Sequence, residues 1–91
     1  MRIDVFLKKV LIFKQRTLAQ KAIKNNLVRI NYSPAKSSKE VKAGDIIEID
    51  LPKKYLLIEV IEIPSGNVPK KDVLKYYKIL KEEIKNNDFL F

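Results

Sequence analysis

Arg16, Lys21 and Lys24, with Lys14 just ahead of them, set cations along one side of a predicted helix over residues 16–26. At 100° per residue, Arg16, Gln20, Lys24, Thr17 and Lys21 follow one another around that side. A lysine meets a phosphate as a point charge, whereas an arginine can fork onto two oxygens or stack on a base. The row therefore suits a phosphate-bearing polyanion. Other chemistry is scarce. The chain has neither histidine nor cysteine, which removes Ser-His-Asp and Cys-His catalysis, thiol chemistry and the common zinc ligands. Asp45, Glu48 and Asp50 form the one local acidic cluster, and two of them on a strand face could take magnesium through oxygen. The simpler reading is adopted: Asp45 follows Gly44 in a turn, and Glu48 and Asp50 are the solvent-facing alternates of a half-buried strand. No catalytic residue, metal ligand or cofactor is expected.

The charge is one-sided. Residues 1–42 hold eleven basic residues against Asp4 and Glu40, a net +9, whereas residues 43–91 net −1. A field confined to one half steers and holds phosphates better than a uniform one. Tyr32, at a turn tip near Arg29, adds a ring that would stack on an unpaired base, although such tyrosines more often pack over their own hairpin.

Stepwise, the elements that must carry these residues follow from periodicity. Ile3, Phe6, Leu7, Val10 and Leu11 mark a first amphipathic helix. After a break at Lys14-Gln15, Leu18, Ala19, Ala22 and Ile23 give the second helix its apolar face, and Asn25-Asn26 is its stop. Val28 and Ile30 alternate as a strand, Asn31 to Pro34 make a turn, and Ala35-Lys36 return as an edge strand. Ile46–Leu51 and Tyr55–Ile63 read as a hairpin broken at Pro52 to Lys54. The last strand is apolar on both faces, which calls for a cover. A helix from about residue 70, striped by Val73, Tyr76, Tyr77, Leu80 and Ile84 and ended by Asn86-Asn87-Asp88, is the expected cover, with Phe89-Leu90-Phe91 as a tail.

Ninety-one residues fit one small domain. The longest uncharged apolar run, Val10 to Phe13, is too short for a membrane span. A cytoplasmic, monomeric protein is expected, organised as a domain over 1–63, a loop over 64–69 and the helix and tail over 70–91.

Taken in order, Arg2-Ile3-Asp4 with Leu7, Lys14-Gln15-Arg16-Thr17-Leu18-Ala19, Leu27-Val28-Arg29-Ile30-Asn31 and Val41-Lys42-Ala43-Gly44-Asp45 resemble the S4-like RNA-binding domain, or αL motif. The resemblance covers residues 1 to about 50. It implies an α+β fold in which two N-terminal helices pack on a small, mainly antiparallel sheet; the C-terminal helix is added to it here. It also implies RNA held along the second helix and adjoining basic turns. Arg2, Lys14, Arg16, Thr17, Lys21, Arg29, Lys36 and Ser38 would face RNA, joined by Lys24 from the basic row, while Asp4 would orient Arg2 or Arg16. The chain departs from the family in carrying Asn31-Tyr32 where Asn-Gly is frequent, and Asn26 where glycine is common.

Chain size, the start at Arg2 and the segment Tyr77 to Glu83 are similar to a stand-alone bacterial branch that works in ribosome-associated quality control. That likeness implies binding to rRNA of the large (50S) subunit, contact with peptidyl-tRNA, and action beside a tRNA-recruiting factor. Three other readings stand beside it. One is a small heat-shock-type ribosome-associated relative, which usually has a longer basic tail. The second is a protein-interaction adaptor built on Tyr76, Tyr77, Phe89 and Phe91. The third is an RNA-modifying enzyme, for whose catalytic module 91 residues leave little room.

Overall fold

The computed structural model describes residues 1–85. Helix α1 (Ile3–Lys9) buries Ile3, Phe6 and Leu7 completely, the spacing that places three side chains on one face. Each such side chain contributes about 1.5–3 kcal/mol through removal from water. The helix ends in a left-handed residue, Leu11 at φ 61°. Leu11 N–H donates to the Lys8 carbonyl and Ile12 N–H to that of Leu7, both at 3.0 Å. Helix α2 (Arg16–Lys24) closes the same way, with Asn26 at φ 60° and bonds from Asn26 to Ile23 and from Leu27 to Ala22. Asparagine tolerates that conformation; leucine is strained by it. Ala19, Ala22 and Ile23 face the core as expected, but Leu18, at the rim of the apolar sector, is exposed.

Strands β1 (Val28–Ile30), β2 (Ser33–Pro34), β3 (Ile46–Leu51), β4 (Lys54–Val60) and β5 (Tyr77–Ile84) form one antiparallel sheet in the order β2-β1-β3-β4-β5. The outer return strand falls on Ser33–Pro34, two residues before its expected place, because Ile30 pairs with Ser33 across a two-residue loop. Both loop residues, Asn31 and Tyr32, have positive φ (50° and 66°), the primed hairpin geometry. Pro34 is accommodated because β2 is an edge.

One face of the sheet, carrying Val28, Ile30, Ile47, Ile49, Leu56, Ile58 and Val60, packs on both helices. The polar segment 37–40 is tied to the start of α1: Ile3 N–H donates to the Lys39 carbonyl at 2.8 Å, and the backbones of Arg2 and Glu40 form an isolated antiparallel bridge.

The expected C-terminal helix is not formed. Lys70–Lys75 make a short 3-10 segment, and Tyr77–Ile84 pair with β4 along its length, from Val60 opposite Tyr77 to Lys54 opposite Ile84. The apolar stripe fitted a helical period, but β4 would otherwise expose a full row of unpaired N–H and C=O groups. The neighbour that β4 required lies beside it in the sheet instead of above it. Tyr76 and Tyr77 are half-buried against the core, so the proposed adaptor surface is partly occupied there. Its remainder, Phe89 and Phe91, and the Asn86 to Asp88 stop lie outside the described residues.

Candidate nucleic-acid interface

Asp4 sits in the first turn of α1 with no solvent exposure. An unpaired carboxylate there would cost several kcal/mol, of order the effective ion-desolvation penalty. Its acceptor sites are filled instead. Oδ2 receives Gln20 Nε2 at 2.9 Å, Arg16 Nε at 3.1 Å and Arg2 Nη2 at 3.1 Å. Oδ1 receives Arg2 Nε at 3.2 Å and the Val5 N–H at 2.8 Å. Burial by itself pushes the Asp4 carboxyl up. The hydrogen bonds from Gln20, Arg16 and Arg2, with the Arg16 charge, outweigh it and hold the group below the usual carboxylate range.

The two guanidiniums are held differently. Arg2 spends Nε and one terminal nitrogen on Asp4, while Arg16 spends only Nε, leaving its terminal fork free of hydrogen bonds among the described residues. Their side chains are 42% and 48% exposed, so each is anchored at its root and open at its tip. Two cations over one buried anion leave a net positive charge at a fixed place. That arrangement can clamp a phosphate, with Arg16 supplying the bidentate contact.

Other expected site residues gather nearby. Lys24 and Lys36 line an open groove between the end of α2 and segment 35–37, which Gln20 enters from the Asp4 side. Lys36 continues into a second open groove with Ser38, Lys39 and Asn31. Lys14, Thr17 and Lys21 are exposed at the entry to α2 and along its outer side, and Thr17 Oγ1 donates to Gln15 Oε1 at 3.4 Å. Among the described residues, Lys14, Lys21, Lys24 and Lys36 form no salt bridge, so their charge faces outward.

Arg29 is not brought to this cluster. Its strand turns Val28 and Ile30 inward, which sends Arg29 to the opposite face of the sheet, 3.9 Å from Glu48. Glu48 also accepts the Tyr55 hydroxyl, and that bond, with burial, pushes the tyrosine pKa up to about 12. The acidic cluster is spoken for as well. Asp45 accepts the Lys42 N–H at 2.8 Å and the Asn31 amide at 3.1 Å, and Asp50 pairs with Lys85. Among the described residues, no group of three acids is placed to hold a metal ion.

Gln20 is the participant that charge counting passes over. The signal for it was its place one helical turn after Arg16 on the same face.

A buried aspartate gathering guanidiniums from the starts of two short helices, over a small antiparallel sheet, defines an S4-type domain, and the S4 domain family matches residues 1–47. The RQC P-site tRNA stabilizing factor of Bacillus subtilis is 36% identical over 91% of this chain and 95% of its own length. Its counterpart in Helicobacter pylori (strain ATCC 700392 / 26695) is 44% identical over 84% and 92%. The trimeric structure of Vibrio cholerae Heat Shock Protein 15 superposes with a TM-score of 0.81 over 87% of this chain and 80% of that one; at 24% identity it speaks for the fold alone. The chain belongs to the S4 domain family and, within it, to the branch of the RQC P-site tRNA stabilizing factors.

Proposed function

We propose that this chain is a non-catalytic RNA-binding factor of the large (50S) ribosomal subunit, acting in cytoplasmic quality control of stalled nascent chains. The observation that carries the reading is the pair of guanidiniums held open over buried Asp4, in a half-chain of net +9. The names of its relatives supply the context. The ligand is folded rRNA, with peptidyl-tRNA as the second RNA and a tRNA-recruiting factor as its neighbour on the subunit. A-form RNA hides its base edges in a deep groove, so recognition proceeds through backbone charge and shape. The fixed root and free fork of Arg16 suit that mode. The protein acts as a monomer and supplies position and charge, not bond-breaking chemistry.

Co-sedimentation with purified large subunits tests the assignment. The wild-type protein is expected to pellet with subunits in dilute buffer, and Arg16→Glu is expected to remain in the supernatant. Equal pelleting of the two would remove Arg16 from the interface.

A further inference from the structure

A groove of about 440 Å³ runs between the outer side of α1 and the loop 64–68, which lies beyond the residues matched by the S4 family. The loop is fastened at two points: Pro64 is buried, and the Gly66 carbonyl accepts Lys9 Nζ at 3.0 Å. It thus makes a fixed second wall opposite Arg16. The lining falls into three kinds of group. Lys8, Lys9 and Arg16 are cations, Val5, Leu11 and Val68 are apolar, and Asn67 is a neutral amide with both donor and acceptor. None of the lining residues is acidic.

Leu11 adds an independent sign. It stands at the left-handed position that ends α1, where glycine is the usual occupant, yet its side chain is 42% exposed. Part of this apolar side chain is thus left in solvent on the groove floor, at a backbone position that strains it.

We infer that this groove receives a single unpaired nucleotide of the RNA held by Arg16. The phosphate lies on Lys8 and the free Arg16 fork, the base or ribose lies on the apolar floor, and Asn67 bonds a base edge or 2′-hydroxyl. A paired stem offers only its phosphates, which would leave the floor and the amide unused. This inference rests on the proposed RNA-binding function and names a substructure that the same site selects.

The test compares two fluorescently labelled RNA hairpins, one fully paired and one with a single unpaired nucleotide in its stem, titrated with the whole protein. The wild type is expected to bind the interrupted stem about three- to tenfold more tightly, the scale of one or two polar and apolar contacts. Asn67→Ala and Leu11→Gly should each reduce that preference toward unity without changing affinity for the paired stem. Asn67 is exposed and its replacement leaves the fold alone; melting curves check Leu11→Gly. With Arg16-dependent binding intact, absence of the preference in the wild type, or its survival in both variants, overturns this inference alone. Binding of both stems that ignores Arg16→Glu overturns the proposed function and the inference with it.

Discussion

Asp4 is a charged side chain placed where only a fully occupied acceptor survives. Gln20, Arg16 and Arg2 occupy it, and in doing so fix both guanidiniums. Replacing it by asparagine keeps the shape but turns two of its hydrogens toward donors. Because both arginines are about half in solvent, the loss should fall below that of a fully buried pair, at about 1–3 kcal/mol. For a chain of this size that lowers the melting temperature by roughly 4–8 °C per kcal/mol. The pH dependence has a definite sign. The folded carboxyl lies below its unfolded value of about 4, so its contribution is complete above that value and disappears as pH falls through the folded one. Urea melts should therefore separate wild type from Asp4→Asn at pH 6, and the gap should narrow below about pH 4. A gap that persists undiminished at the lowest pH would show that the carboxylate charge is not what Asp4 contributes.

The elements make this hub possible because α1 and α2 are short and both end abruptly. The left-handed stop of α1 at Leu11 turns the chain back, and Arg16 at the start of α2 lies within reach of Asp4. A left-handed residue also shapes the β1–β2 hairpin, where Tyr32 occupies a position that glycine fits and is 64% exposed. Tyr32→Gly removes a steric penalty and little packing, while it adds freedom to the unfolded chain; a net stabilisation of about 0.5–1 kcal/mol is expected. A denaturant midpoint that falls would show that the ring packs over its hairpin. Much of this was legible beforehand. The stripes Ile3-Phe6-Leu7-Val10 and Ala19-Ala22-Ile23 and the Asn26 stop were written in local period and backbone chemistry, and Asp4, Arg2 and Arg16 came with the family pattern. The segment Tyr77–Ile84 was misread because its period fitted a helix while its fate was settled by the bare edge of β4, a tertiary demand no local window contains. Arg29 differs: the alternation of Val28 and Ile30, legible in the sequence, already sends it to the far face of the sheet, away from the Asp4 cluster.

At the scale of the molecule, charge and shape are divided between the two halves. The first carries the helix pair and the +9 excess; the second completes the sheet and supplies the loop 64–68 that walls the groove beside Arg16. No helix among the described residues is long and apolar enough to cross a membrane. On the proposed function, a cationic surface centred on the Asp4-held guanidiniums displaces counterions from folded RNA. Affinity for purified large subunits, measured across salt concentrations with wild type and Arg16→Gln, addresses this claim most directly. With about five to seven cations engaged, the wild-type log–log slope should be about −4 to −6, and the variant's should be shallower by about one. A slope near zero for the wild type, or identical affinities and slopes for the two proteins, would contradict it.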